Sequence, residues 1–245
     1  GSGSDALAAK TRADLSADGK QYILNGQKMW ITNAGFADVF TVFAKIGGEQ
    51  FTGFIVEART PGITLGAEEK KLGIKGSSTR QVFFENVAVP TENVLGKIGH
   101  GHLIAFNTLN IGRFKLGTMA MGGSKKSISI AVKYANERIQ FGQPIAQFGA
   151  IKHKLGEMGA IIFALESAIY RLSDMMGKLK DELTAAGSSF EQAMLDAAKE
   201  FAAECAIVKV AGSEYLDFVI DEMLQIHGGN GFSEEYPASR AYRDA

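Results

Sequence analysis

The stretch Gln81–Asn110, QVFFENVAVPTENVLGKIGHGHLIAFNTLN, contains the change of character that decides the fold. Its first part, Gln81–Glu85, is rich in aromatic and β-branched residues and predicts a strand. Pro90 closes that strand, because proline cannot donate a hydrogen bond to a ladder. A helix is predicted to begin near Gly101 and to run to about Asn136. The chain therefore divides into a β part over residues 1–96 and a helical part over residues 97–245.

Upstream of the boundary, short aromatic or β-branched segments alternate with turn signals. Asp18-Gly19 and Asn25-Gly26 flank the first candidate strand and predict hairpins. Repeated strands without intervening helices predict an antiparallel barrel or sandwich. The candidate strands before the boundary are Gln21–Leu24, Lys28–Thr32, Val39–Ile46 and Gln50–Glu57.

Downstream of the boundary, no proline occurs between residues 145 and 236, and apolar residues recur at spacings of three and four. Helices of this length predict a bundle, so the expected fold class is α+β. The two clearest runs are Ile151, Leu155, Met158, Ile162, Leu165, Ile169, Leu172 and Met176, and then Phe201, Ile207, Val208, Ala211, Tyr215, Phe218 and Leu224.

Glycine is the compositional outlier, with 29 residues among 245, where about 7% is typical. Gly112, Gly117, Gly122 and Gly123 fall inside the helix that begins near Gly101. Each costs about 1 kcal/mol relative to alanine in a helix interior. Close approach of another helix or of a ligand could offset this cost, and the alternative is that the helix is broken.

Charge and cysteine content exclude several classes of protein. Lys and Arg total 26 against 27 Asp and Glu, and no segment offers the basic face that a nucleic acid requires. The longest uncharged run, residues 98–112, is too short and polar for a membrane span. A single cysteine, Cys205, excludes internal disulfides and indicates a reducing compartment, either bacterial cytoplasm or an organelle matrix rather than a secreted location. The four histidines lack acidic or thiol partners nearby in sequence, so no metal site is expected.

Generic motifs identify no function. Gly1–Ala6 fits the dinucleotide fingerprint GxGxxG in form, but no strand precedes it and no βαβ unit follows it. The chain contains neither a phosphate-binding GxxxxGK[ST] loop nor a GxSxG nucleophile elbow.

Longer strings, in order and at the right spacing over essentially the whole chain, resemble the acyl-CoA dehydrogenase family. The resemblance covers the middle β domain and most of the C-terminal helical domain, so we expect a fragment truncated at both ends, with an incomplete up-and-down bundle. A segment around Asn110–Phe114 leans toward the very-long-chain-like and bacterial branch. The strings are Gly3-Ser4-Asp5 with Thr11, Trp30–Asn33, Lys71–Ser77, Phe83–Pro90, Arg138–Gly142, Gln225–Phe232, Glu235–Pro237 and Arg243–Ala245.

The resemblance implies an FAD enzyme that forms a trans α,β double bond in a fatty acyl-CoA thioester. In this chemistry a carboxylate removes the α-proton and the flavin accepts hydride from the β-carbon, while hydrogen bonds to the thioester carbonyl stabilise the developing enolate. It also implies electron transfer to an electron-transfer flavoprotein or a similar acceptor. A homodimer or homotetramer with FAD at the subunit interface is expected.

Site residues follow from the same resemblance, position by position. Trp30 would pack against the flavin ring, with Ile31 and Thr32 beside it. Arg138 would bind the pyrophosphate of a neighbouring subunit's FAD, and Phe141 would pack nearby. The loop formed by Gln225, Ile226, His227, Gly228 and Gly229 would contact the same FAD through close backbone approach. The expected substrate-binding residues are Ser4, Asn110 and Arg113.

Departures from the family pattern concern the base and one cofactor contact. Many relatives have a glutamine near the flavin adenosine where this chain has Gly149. In most of the family the catalytic base is a glutamate in a Glu-Gly-Thr motif, which would lie beyond Ala245. Some relatives carry it immediately before the arginine matched by Arg113, and here that residue is Gly112. We therefore expect no catalytic residue within the chain, and an isolated chain that is inactive.

Two alternatives to a dehydrogenase stay open at this point. One is a flavin oxidase or monooxygenase built on the same fold. The other is a non-enzymatic binding or assembly module that retains the fold, which the absence of a base favours for the isolated chain.

Overall fold

The computed structural model describes residues 5–245 and consists of a β-sheet region followed by helices. By compactness the chain divides into Gly1–Phe106 and Asn107–Ala245, so the division falls inside the first long helix. The boundary placed at residue 97 marks instead the change from strand to helix. The α+β fold class is confirmed.

Within the described residues of the first unit, seven strands form one sheet in the spatial order β5-β6-β2-β1-β3-β4-β7. All neighbouring pairs are antiparallel except β1 with β3. Successive strands along the chain reverse direction, so β1 and β3 run the same way. Because β3 lies next to β1, on the side opposite β2, this one pair is parallel. The bounds are β1 Arg12–Leu15, β2 Gln21–Thr32, β3 Val39–Ile46, β4 Gln50–Glu57, β5 Ile63–Leu65, β6 Thr79–Pro90 and β7 Val94–Leu95.

The predicted turn at Asn25-Gly26 is wrong, because β2 continues through it as one 12-residue strand. The pairing with β6 shifts register between Leu24 and Gly26, which identifies a bulge. A Cβ on Gly26 would lie 2.9 Å from the Cα of Thr11, so glycine here permits close backbone approach. The hairpin predicted at Asp18-Gly19 is confirmed, since β1 and β2 pair antiparallel across it and Gly19 has a φ of +70°.

The sheet buries one apolar cluster of its own. Alternating positions on β2, β3, β4 and β6 face this cluster, as expected for strands with one solvated face. Its buried members are Ala13, Tyr22, Leu24, Ala34, Phe40, Val42, Ala44, Phe54, Val56, Val82, Phe84, Val87 and Val89.

The second part of the chain contains long helices and one small hairpin. Helix α2 buries the predicted apolar stripe, including Met158, Leu165 and Leu172. The bounds are α1 Gly101–Glu137, β8 Ile139–Gln140, β9 Gln143–Pro144, α2 Gly149–Ala185, α3 Phe190–Glu200, α4 Ala202–His227, α5 Gly229–Phe232 and α6 Pro237–Asp244. Short 3₁₀ turns span Ala6–Ala8, Thr91–Asn93 and Ile145–Gln147.

The glycines of α1 have two different surroundings. The helix is continuous over 37 residues, so the broken-helix alternative is excluded. A Cβ on Gly117 would lie 2.8 Å from the carbonyl oxygen of Val208, and one on Gly212 would lie 3.1 Å from the Cα of Gly117. Helices α1 and α4 therefore approach closely through these two glycines. Gly112 and Gly122 face open space instead.

Candidate functional site

Trp30 lies at a second irregularity of β2, where the pairing with β6 shifts register between Lys28 and Ile31. Its φ is +56°, a conformation that bulky L-residues rarely adopt, and 66% of its surface is exposed. A bulge of this kind redirects a side chain away from the regular pleat. Ile31 is half-buried and Thr32 is exposed. The strand thus presents a strained, exposed aromatic ring at the predicted flavin-contacting position.

A cavity of about 900 Å³ adjoins Trp30 within the sheet unit. Segments Ala9–Thr11, Gly26–Ile31 and Phe83–Glu85 line it, and they combine apolar side chains with few charges. An aromatic-lined cavity of this size is typical of sites for flat organic ligands.

Lys28 lies on the wall of this cavity and was not identified from the sequence. Its Nζ donates a hydrogen bond to the carbonyl oxygen of Phe43 at 2.7 Å. Burial lowers the pKa of Lys28 to about 8, because a desolvated ammonium is disfavoured. A lysine in the predicted strand Lys28–Thr32, where Met29, Trp30 and Ile31 follow it, is the sequence signal that could have identified it.

Phe141 occupies the tip of the hairpin formed by β8 and β9. Phe141 and Gly142 both have positive φ values, +51° and +77°, as a two-residue type I′ turn requires. The Phe141 ring is 92% exposed and meets Phe148 edge-on, with ring centroids 6.1 Å apart. Here too a strained backbone presents an aromatic side chain to solvent.

The Gln225–Gly229 segment places side chains and backbone in different surroundings. Gln225 is exposed, whereas Ile226 and His227 are each only 4% exposed. His227 Nδ1 lies 2.7 Å from the carbonyl oxygen of Met223, so that nitrogen carries the proton and donates. The side chains of Ile226 and His227 therefore face the protein interior rather than a ligand.

Gly228 ends α4 with a φ of +56° and a ψ of −135°, a combination open essentially to glycine alone. A Cβ at Gly228 or Gly229 would meet no atom within 4 Å, so open space lies beside this backbone. Because Gly228 N donates to the Gln225 carbonyl oxygen at 3.0 Å, the Gly229 N–H is the donor that a ligand can approach closely here.

Tyr134 packs behind this loop and is a second residue that the sequence did not identify. Its ring stacks on His227 at a centroid distance of 4.1 Å, and Tyr236 meets both rings edge-on. The Tyr134 hydroxyl donates to the carbonyl oxygen of His227 at 3.3 Å and accepts from Asn230 Nδ2 at 2.9 Å. The loop is therefore held by a half-buried polar and aromatic network.

A cavity of about 320 Å³ joins these parts of the helical unit. Its lining includes Arg138, Gln140 and the backbone from His227 to Asn230. No carboxylate among residues 5–245 forms an ion pair with Arg138, so its guanidinium is available to an anion. A guanidinium fork beside open peptide groups suits a diphosphate. The donor set therefore fits the diphosphate part of a dinucleotide cofactor.

Asn110 and Arg113 lie one turn apart on α1 and interact directly. Arg113 Nη1 donates to Asn110 Oδ1 at 2.8 Å, and Asn110 is 7% exposed. Asn110 thus fixes one end of the Arg113 guanidinium.

Ser4, the third predicted substrate contact, lies outside the described residues. Gly149 begins α2, and a Cβ there would meet nothing within 4 Å. Among residues 5–245, no atom therefore lies close to the Gly149 backbone on the side where many relatives have a glutamine side chain.

No three His, Cys, Asp or Glu side chains among residues 5–245 lie close enough together to hold a metal ion. No helix in the same residues is long and apolar enough to cross a membrane.

Comparison with family models and relatives gives a consistent result along the chain. Residues 1–87 match the model of the acyl-CoA dehydrogenase middle domain, and residues 99–245 match that of the acyl-CoA dehydrogenase C-terminal domain. The chain is 50% identical over 245 residues to a probable acyl-CoA dehydrogenase of Bacillus subtilis (strain 168), and this covers 100% of the chain and 41% of that relative. It is 42% identical over 252 residues to the mitochondrial very long-chain specific acyl-CoA dehydrogenase of Homo sapiens, covering 99% and 36% respectively.

A solved structure extends the similarity to the fold. The crystal structure of an acyl-CoA dehydrogenase complexed with FAD from Bacillus anthracis matches with a TM-score of 0.96 and 51% identity. The match covers 99% of this chain and 41% of that one. The chain thus spans about two fifths of the length of these proteins.

Proposed function

We propose, because the chain belongs to the acyl-CoA dehydrogenase family, that it binds FAD and takes part in oxidising a fatty acyl-CoA thioester to the trans α,β-unsaturated product. The observation that carries the proposal is the unpaired Arg138 guanidinium beside the open Gly228–Gly229 backbone in one cavity. The FAD-bound relative of similar fold supports the identity of the cofactor.

The predicted cofactor-binding residues in and around the helical-unit cavity contribute different interactions. The Arg138 fork binds diphosphate oxygens in a bidentate manner and supplies positive charge. The Gly229 N–H meets the same ligand without steric hindrance from a side chain, and Gln225, exposed on α4 two residues before His227, is proposed to contact it from outside the cavity lining. Ile226 and His227 hold the loop through buried side chains. Phe141, exposed on its hairpin outside the cavity lining, packs near the same FAD, which in this proposal belongs to a second copy of the chain.

The sheet unit contributes the surface for the flavin ring. Trp30 packs against the isoalloxazine and excludes water, while Ile31 and Thr32 border it. When bound, FAD supplies the acceptor for the hydride that leaves the β-carbon. Asn110 orients Arg113 toward the acyl-CoA substrate by the hydrogen bond between them. No residue of the chain is assigned as the base, since Gly112 has no side chain to accept a proton.

Partner and assembly proposals follow from the family. An electron-transfer flavoprotein or similar acceptor takes the electrons, and a homodimer or homotetramer places FAD between subunits. A bacterial cytoplasm or an organelle matrix is the proposed compartment, consistent with the single cysteine.

The test uses the protein expressed from its complete open reading frame. We expect it to bind FAD and to reduce an artificial electron acceptor when given a fatty acyl-CoA, with little oxygen consumption. R138Q is expected to weaken FAD affinity at least tenfold, because it removes the cation facing the diphosphate. R171Q, which removes an exposed arginine of α2 outside the cavity, is the matched control and should leave affinity unchanged.

Each contrary result identifies a different error in the proposal. Equal FAD affinity in R138Q and R171Q would contradict the assignment of the diphosphate site. Rapid oxygen consumption with acyl-CoA would identify an oxidase or monooxygenase. Binding of FAD without any turnover would favour a binding module.

A further inference from the structure

The Tyr134 hydroxyl connects the two residues that border the Gly228–Gly229 segment. It donates to the carbonyl oxygen of His227, immediately before the glycines, and accepts from the side chain of Asn230, immediately after them. One oxygen atom on α1 thus joins both ends of a two-residue backbone segment that lies 93 to 96 residues away in sequence.

The segment needs such a connection because glycine restricts its own backbone least. Gly228 has the φ and ψ of a region that glycine enters freely but does not favour over others. Fixing the backbone of one residue costs about 1–2 kcal/mol in conformational entropy. Two backbone hydrogen bonds assist, from Gly228 N to Gln225 O at 3.0 Å and from Gly231 N to Gly228 O at 2.9 Å. Neither of them joins the two ends of the segment.

The ring and the hydroxyl of Tyr134 have separable roles. The ring stacks on His227 with an interplanar angle of 21° and meets Tyr236 edge-on at 6.1 Å. A phenylalanine at position 134 would keep both ring contacts and lose only the hydrogen bonds. The packing of the helical core and the ordering of the loop can therefore be tested independently.

We propose that Tyr134 is a positioning residue that holds the Gly228–Gly229 segment so that the Gly229 N–H has the orientation needed to meet the diphosphate of the cofactor. This inference rests on the proposed function and extends it to a residue that does not itself need to touch the cofactor. Its physical basis is preorganisation, since a loop already fixed in its binding conformation loses less entropy when the ligand arrives.

The central experiment compares Y134F with Y236F in the protein expressed from its complete open reading frame. Both variants delete one hydroxyl from the same aromatic cluster, but among the described residues only the Tyr134 hydroxyl bonds to the loop. Y134F is expected to weaken FAD affinity about tenfold, while Y236F leaves it unchanged. Amide hydrogen exchange at residues 228–231 should become faster in cofactor-free Y134F, and the thermal midpoint should stay close to that of Y236F.

A second variant removes the other member of the hydrogen bond. N230A alone is expected to weaken FAD affinity, and the double variant Y134F/N230A should be little worse than either single variant, because both delete the same interaction. Fully additive losses would contradict the proposal, as would a Y134F loss explained entirely by a lower thermal midpoint.

The outcomes separate this inference from the proposed function. Failure of the wild-type protein to bind FAD would overturn the proposed function. Tight FAD binding by the wild type together with unchanged affinity in Y134F would overturn the role of Tyr134 alone.

Discussion

The bulge at Trp30 and the loop from His227 to Asn230 expose groups to solvent in opposite ways. At Trp30 a strained backbone, with a φ of +56°, presents a side chain that is 66% exposed. At the loop, the buried side chain of His227 and the half-buried side chain of Tyr134 hold a backbone beside which open space lies. The first region stores strain in order to present a ring, and the second uses a network in order to present peptide groups.

The two regions therefore differ in which atoms would contact a ligand. A flat ring is recognised by area, so an exposed aromatic side chain is suitable and its backbone conformation is secondary. An anion is recognised by directed donors, so the orientation of backbone groups matters most. Substitutions should therefore have different consequences for stability and for binding in the two regions.

The largest effect is expected for Gly228→Ala. Its φ of +56° and ψ of −135° would strain any residue with a Cβ, so we expect a loss of about 1–3 kcal/mol in the free energy of unfolding. Gly229→Ala is the matched control, since a Cβ there meets nothing within 4 Å and its φ lies outside the strained range. Chemical denaturation of the two variants measures the difference. Equal stability of both would show that Gly228 is not conformationally required.

A smaller effect of opposite sign is expected for Trp30→Gly. Removing the left-handed backbone strain stabilises the folded state by about 1–2 kcal/mol. The greater conformational entropy of glycine in the unfolded chain costs about 0.5–1 kcal/mol. The free energy of unfolding should therefore stay level or rise, while FAD affinity falls because the ring is lost. Met29→Gly is the control, because Met29 is 51% exposed on the same strand without a positive φ, and it should be destabilised. If denaturation shows equal losses in both, the strain at Trp30 is not significant.

Much of the fold was predictable where patterns are local and regular. Strands Val39–Ile46 and Gln50–Glu57 match their predicted bounds, because alternation and clear turns define them. Strand β7 covers only two residues and is too short to show a pattern. Asn25-Gly26 was misread because the same residues that favour a turn also suit a bulge, and pairing with β6 decided between them.

The candidate site was predictable only through the family resemblance. That resemblance identified Trp30, Arg138 and Gly228, but it gave neither their strain nor their partners. Tyr134 and Lys28 were missed because their roles arise from contacts distant in sequence, such as the 96 residues between Asn230 and Tyr134. A spacing rule cannot detect such contacts, since only the folded chain brings the two residues together.

Lys28 gives the most direct test of this comparison. It lies in the Trp30 region, but its side chain supports a backbone group, as the side chains of His227 and Tyr134 do in the loop. Its Nζ holds the Phe43 carbonyl oxygen, so a half-buried side chain here supports a backbone group. Burial has lowered the pKa of this lysine from 10.5 to about 8. Between these values the unfolded chain binds more protons than the folded one, so the contribution of Lys28 to stability rises with pH. Below pH 8 the Lys28 amine is charged in both the folded and the unfolded chain, so folding carries the full cost of burying that charge.

The third expected effect is a change in the pH dependence of stability. Between pH 8 and 10, Lys28 should raise the free energy of unfolding by on the order of 1 kcal/mol. The upper limit is about 1.4 kcal/mol for each pH unit. The expected gain is smaller because the amine is partly hydrated. Lys28→Met should remove this gain, whereas Lys20→Met, at an exposed position just before the same strand, should retain it. Urea denaturation of both variants at the two pH values isolates the contribution from that of other titrating groups. Parallel pH profiles would mean that the Lys28 amine is hydrated in the folded protein, and the Trp30 region would then rely on strain alone.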